Sequence, residues 1–290
     1  MNKARQLIRL MRPHQWVKNG FVLVGLIFGH IWDQQLLVTQ ILYAAAAFCL
    51  VASAIYVIND IADRENDRNH PTKSQRPIAA GQVSIPMAIT LALALLALGG
   101  GLGLQASVSV LAILVFYLAL NLGYSFGLKT IVILDVFIVS AGFMLRIFAG
   151  TLGVGIQPSK WLLLCSLMLT LFLGLCKRRS EIHSLADGRA AHRSVLAQYD
   201  PALLDLLIGI SAACVLMSYG LYTMSEETIA VHQTSNLIYT LPFVIYAMFR
   251  YIYSLHRFST GGDPAKEIFR DPHIIVASLA WLILTLWLIG

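Results

Sequence analysis

Of the 290 residues, 58% are hydrophobic and only 12% are charged, and the mean hydropathy is +0.72. Roughly a quarter of the residues of a soluble domain are charged, so this composition excludes a soluble enzyme, a secreted disulfide scaffold and a disordered chain. The net charge of +6 does not point to nucleic acid, because the basic residues bracket apolar stretches instead of forming a patch on a polar domain.

A membrane-crossing helix needs about 20 mostly apolar residues, and nine stretches meet that need, at about 18–32, 38–58, 85–104, 106–126, 131–149, 160–176, 202–224, 237–257 and 272–290. The sequence therefore predicts an all-α integral membrane protein with a single transmembrane domain over 1–290. The first stretch is short and carries Asn19 and His30; the alternative for it is a surface helix that dips into the interface. The N-terminal basic run is long and interrupted by Pro13, which is not the pattern of a cleavable signal peptide. Lys and Arg gather before the first stretch, between the second and third, at Lys129, between the sixth and seventh, and after the eighth, whereas the opposite loops hold only Lys160. The positive-inside rule then sets the N-terminus in the cytoplasm and the C-terminus outside.

Several features take bland readings. Cys49, Cys165, Cys176 and Cys214 are isolated in apolar stretches and read as small core residues. The run Gly99–Gly103 ends a span and follows no strand, so it reads as close helix packing. Trp16, Trp32, Trp161, Trp281 and Trp287 suit interfacial or lipid-facing positions. His192 and His232 have no ligand-like partners at helical spacing.

Two long polar loops, 59–84 and 177–201, lie on the cytoplasmic side four spans apart, which hints at two similar halves with one functional loop each. The first opens Asn59-Asp60-Ile-Ala-Asp63-Arg-Glu-Asn-Asp67. On a continuing helix Asp60, Asp63 and Asp67 fall within about 60° of one another, and Asn59 joins Asp63 at i, i+4. Three aligned carboxylates repel unless they chelate a cation, and hard oxygen ligands suit Mg²⁺ that also binds a substrate's phosphates. Lys73 and Arg76 follow, cations for the remaining phosphate charge. The bland alternative is a solvated helix end with topology-setting cations.

The motif Asn-Asp-x-x-Asp-x-x-x-Asp, followed by Arg76-Pro-Ile-x-x-Gly81, resembles the UbiA superfamily of intramembrane prenyltransferases over nearly the whole chain. The resemblance implies a helical bundle around a central cavity, an Mg²⁺-bound diphosphate at the cytoplasmic mouth, and a lipid chain reaching in from the bilayer. Most members carry a second aspartate-rich motif after the sixth helix. Here that place reads Lys177-Arg178-Arg179-Ser-Glu181, which cannot be a carboxylate cage and suggests an anion-binding surface with one carboxylate. With Arg12-Pro-His-Gln-Trp16-Val-Lys18-Asn19, His70-Pro-Thr-Lys73, Gly142-Phe-Met-Leu-Arg146 and Arg193-Ser-x-Leu-x-x-Tyr199, the chain is similar to the decaprenyl-phosphate phosphoribosyltransferase branch.

That resemblance implies transfer of a 5-phosphoribosyl group from phosphoribosyl diphosphate to a polyprenyl phosphate, releasing diphosphate, in a bacterial cell membrane. Three anionic groups then meet in one site, and the basic second loop supplies cations for them. Asp60, Asp63 and Asp67, with Asn59, would hold the metal. Lys18, Lys73, Arg76, Tyr124, Lys129, Arg146, Lys177, Arg178 and Glu181 are the candidate substrate contacts, Arg146 with the reservation that it lies toward the outer end of its span. The runner-up is a prenyltransferase acting on an aromatic or other small acceptor, and a transporter is the competing class; the oligomeric state is open.

Overall fold

The computed structural model describes residues 3–28, 31–69, 73–186, 194–258 and 271–289. His30, His70–Thr72, His192 and Arg193 from the readings above lie outside the described residues. The chain divides into two compact units, Met1–Leu128 with Gly142–Pro158, and Lys129–Ala141 with Ser159–Gly290.

The first unit opens with α1 (Lys3–Met11), a 3₁₀ helix over Pro13–Leu23 and α2 (Val24–Phe28). It continues with α3 (Gln35–Ala62), α4 (Arg64–Arg68), α5 (Ile85–Ala106) and α6 (Val108–Phe126). α7 (Leu134–Ala149) is divided, its first half belonging to the second unit and its second half to the first. The second unit adds α8 (Lys160–Ala186), α9 (Pro201–Met224), α10 (Glu226–His232), α11 (Leu241–Phe258) and α12 (Pro272–Ile289).

The breaks follow from local chemistry. Ser107 is extended between α5 and α6, and its Oγ accepts from the Val110 amide at 2.9 Å, capping α6. Pro86 and Pro201 stand in first turns, where no donor is needed. The predicted close packing of the glycine run is observed at its two ends, where a Cβ on Gly99 or Gly103 would strike Val51 or Leu114, and not at Gly100 or Gly101.

Among the described residues, eight helices are long and apolar enough to cross a membrane. The first predicted stretch is not one of them, because it is a 3₁₀ helix followed by one short α-helix. It packs as an inner element: Asn19 and Val22 are buried, and a Cβ on Gly25 would collide with the carbonyl oxygen of Gly150, as one on Gly150 would with that of Val22. One core joins this segment to α3, α6 and the second half of α7 around Phe48, Val110 and Leu145. The second unit has its own core, built on Val136, Phe172, Leu204, Ile208 and Tyr251.

Candidate active site

The acidic motif lies where α3 ends. The helix breaks at Asp63 and restarts at Arg64, so the predicted stripe is not on one unbroken helix. Helical bonding nevertheless passes through, from the Asp63 amide to Asn59 O at 2.9 Å and from the Asp67 amide to Asp63 O at 2.8 Å. Asp60 and Asp67 therefore stay on one side, and both are buried. Arg76 Nη1 lies between them, donating to Asp60 Oδ1 at 3.0 Å and Asp67 Oδ2 at 2.7 Å.

Arg12 completes this cluster, its Nη2 donating to the same Asp60 oxygen at 2.6 Å while its guanidinium lies 5.0 Å from the Tyr56 ring centre. Its backbone is left-handed, with φ 52°, a conformation costing a side-chain-bearing residue about 1 kcal/mol or more. The ion pair and the following 3₁₀ helix hold it there. Asn59 Oδ1 accepts from Ser125 Oγ at 2.7 Å, which ties the motif to the end of α6. Asp63 is only half-buried, as are Lys73, Tyr124 and Lys18.

Below this cluster, the 3₁₀ helix runs antiparallel to α3: Arg12 meets Asp60, Trp16 Nε1 donates to Ser53 at 3.0 Å, and Asn19 donates to Cys49 at 3.2 Å. Arg146 closes the same core. Its Nε donates to Asn19 Oδ1 at 2.7 Å, Nη1 to Gly142 O at 2.7 Å and Nη2 to Tyr117 at 2.8 Å, among the rings of Phe48, Tyr117 and Phe143. The guanidinium thus braces the first unit from inside, with its bonds made to neutral acceptors.

The second unit carries the basic segment at the end of α8. Arg178 is turned inward, its Nε donating to Asp135 Oδ2 at 2.5 Å and its Nη1 to Glu181 Oε2 at 2.5 Å. Arg179 donates to Asp205 at 2.9 Å. Two of the three cations that the sequence offers as an anion surface are therefore balanced by carboxylates, one of them fully buried Asp135. Lys177 and Lys129 are half-buried. Tyr199 joins Asp135, donating to its Oδ1 at 2.7 Å, and its hydroxyl is held protonated by burial and by that bond, far above the usual phenol range.

The sequence reading missed Arg12 as a partner of the motif and missed the Asp135–Tyr199 pair. The sequence signals for Arg12 were its place in the basic N-terminal run and in the segment Arg12–Asn19 that carries the family resemblance, and neither pointed to Asp60. Trp16, read as interfacial, is bonded to α3.

Asp60 and Asp67 present hard carboxylate oxygens to one shared cation, the donor chemistry a divalent metal bridging to phosphate requires. Among the described residues no three His, Cys, Asp or Glu side chains gather into a metal-holding group by themselves. Asp60 and Asp67 are two hard carboxylate donors that such an ion could take, both paired here with arginine.

The UbiA prenyltransferase family profile matches residues 20–271. The chain belongs to that family. Among UbiA-related proteins it is 38% identical to a decaprenyl-phosphate phosphoribosyltransferase of Corynebacterium glutamicum, over 97% of this chain and 86% of that one. To the protein of the same name from Mycobacterium tuberculosis it is 33% identical, over 97% of this chain and 93% of that one. Its backbone matches a UbiA homologue of Archaeoglobus fulgidus bound to DMAPP and Mg²⁺ with a TM-score of 0.71 at 16% identity, over 98% of this chain and 99% of that one. At that identity the structural likeness establishes the UbiA fold alone.

Proposed function

We propose that this UbiA-family membrane protein transfers the 5-phosphoribosyl group of phosphoribosyl diphosphate to a polyprenyl phosphate of the decaprenyl type, releasing diphosphate. The observation that carries this reading is identity of 33–38% to decaprenyl-phosphate phosphoribosyltransferases over 97% of the chain. The site chemistry agrees with it. Asp60 and Asp67, with Asn59 and Asp63, would hold Mg²⁺, whose charge on the diphosphate makes it a better leaving group. Arg12 and Arg76 already stand at those carboxylates and supply donors for phosphate oxygens. Lys18, Lys73, Tyr124, Lys129 and Lys177 are the further contacts for the 5-phosphate and the acceptor. The acceptor phosphate is anionic at pH 7 and attacks the anomeric carbon without a general base, so positioning and electrostatics do most of the catalysis.

The reading extends to nine crossings. Eleven 3₁₀ residues rising about 2 Å each and five α-helical ones rising about 1.5 Å each reach about 30 Å, the thickness of the hydrocarbon core. The segment Pro13–Phe28, which begins five residues before the stretch at 18–32, then crosses beside α3 as a stretched helix, with the N-terminus and the acidic mouth cytoplasmic and the C-terminus outside.

The test is transfer of label from phosphoribosyl diphosphate into the lipid phase by purified protein with Mg²⁺ and a polyprenyl monophosphate, with Asp63→Asn as control. Label in the lipid that the substitution removes is the expected result. No label, with conversion of a polyprenyl diphosphate and an aromatic acceptor instead, would make the protein a prenyltransferase.

A further inference from the structure

The corner between α6 and α7 contains a strained residue. Ile133 has φ 68°, the left-handed region that β-branched residues avoid, and such backbone persists only where its surroundings over-determine it. The side chain does not explain the conformation, because it is 41% exposed. What holds the corner is polar. The Ile133 amide donates to the Tyr199 hydroxyl oxygen at 2.7 Å, and that hydroxyl donates to Asp135 Oδ1 at 2.7 Å. The other oxygen of Asp135 receives Arg178 from the end of α8, and the Ile133 carbonyl accepts from the Val136 and Phe137 amides, each at 3.0 Å. Tyr199 itself is 5% exposed and set in the second unit's core.

We infer that Tyr199 is a positioning residue: its hydroxyl clamps the Ile133 corner onto the Asp135–Arg178 pair and so fixes both Lys129, four residues before the corner, and Lys177, beside Arg178. The inference rests on the phosphoribosyl reading for what those two lysines touch. A phenol suits the role because a single hydroxyl oxygen both accepts from the Ile133 N–H and donates to the Asp135 carboxylate, which an ionised carboxylate, an acceptor only, could not do. Bonded on both sides, the hydroxyl serves as a fixed joint. Two cation-bearing segments that are 48 residues apart in the chain, at Lys129 and Lys177, are thereby referred to one buried carboxylate.

Two measurements on detergent-purified full-length protein test this: hydrogen–deuterium exchange of the segment 128–136, and steady-state transfer from phosphoribosyl diphosphate. They are made on the native sequence, on Tyr199→Phe, and on Tyr199→Phe combined with Ile133→Gly, which removes the left-handed strain at an exposed side chain. Tyr199→Phe is expected to speed exchange of 128–136 at least tenfold and to raise KM for phosphoribosyl diphosphate about tenfold, with a smaller change in kcat. The added glycine should recover a substantial part of KM, a rescue that a purely space-filling role for the ring would not show. Unchanged exchange in Tyr199→Phe, or unchanged KM with faster exchange, would overturn the inference; so would loss of activity in kcat alone that glycine leaves uncorrected. Native protein that shows no phosphoribosyl transfer would overturn the reading of the reaction, and the exchange result, which needs no substrate, would still decide whether Tyr199 holds the corner.

Discussion

Asp60 illustrates how the residue chemistry of this site is arranged. A buried carboxylate without compensation is expensive, and breaking a buried pair by removing one partner costs about 3–5 kcal/mol. Two guanidiniums meet Asp60, and one of them also meets Asp67. A metal that takes those carboxylates competes with Arg12 for the same oxygen, whereas a diphosphate gains a donor from it. Arg12→Gln should therefore lower the Mg²⁺ concentration for half-maximal activity about threefold while raising KM for the diphosphate donor about tenfold, the loss of one charge-assisted hydrogen bond. Titration of activity against each ligand checks it, and parallel weakening of both would show that Arg12 does not compete with the metal. Asp271 gives a residue-level pH prediction. Burial raises its pKa, but the Arg250 guanidinium at 2.7 Å and the His273 amide at 2.9 Å outweigh that and hold it below the usual carboxylate range. A depressed pKa contributes stability that is present above the unfolded value near 4 and is lost as pH falls through the folded one. Asp271→Asn keeps the cap on α12 and loses the charge, so its melting temperature should fall less than that of the native protein between about pH 5 and pH 3 in thermal scans.

Among the elements, the segment from Pro13 to Phe28 departs furthest from a regular helix, and its packing says why it is placed where it is. Its backbone approaches α7 at Gly25 and Gly150 so closely that no side chain fits between them. Gly150→Ala should cost about 3 kcal/mol by overpacking and lower the melting temperature by about 5 °C or more. It should also impair transfer, because the displaced segment carries Arg12 and Lys18. Gly101→Ala, in α5 with nothing near its added methyl, is the matched control and should change stability by no more than about 1 kcal/mol. Equal behaviour of the two variants would contradict the close approach. α3 is the opposite kind of element, a long regular apolar helix set in the core of the first unit, and its end brings Asp60 and Asp67 to one side by helical bonding that passes through the break at Asp63.

For the molecule as a whole, the number of crossings sets the side on which the C-terminus lies. If the stretched N-terminal segment crosses, a fusion after Gly290 lies outside, so alkaline phosphatase there should be active and a green fluorescent fusion dark; the reverse pattern would leave eight crossings. Membrane embedding, seven of the predicted spans as long apolar helices, the eighth with its 3₁₀ lead-in, and the placement of Asp60 and Asp67 on one side were legible in the residues; the unbroken three-carboxylate stripe was not, since the helix breaks at Asp63. Each rests on hydrophobic run length, on charge, or on spacings within a turn or two, which are local properties of the chain. What the tertiary structure alone decided is which charges pair. Arg12 reaches Asp60 across 48 positions, Arg178 reaches Asp135 across 43, and Tyr199 reaches Asp135 across 64. No periodicity links residues so far apart, and burial decides whether such a cation faces a substrate or a carboxylate of its own chain. Lys177, Arg178 and Arg179 look alike in sequence, yet the two arginines are already matched to Asp135 and Asp205, because helix packing brings those carboxylates to them.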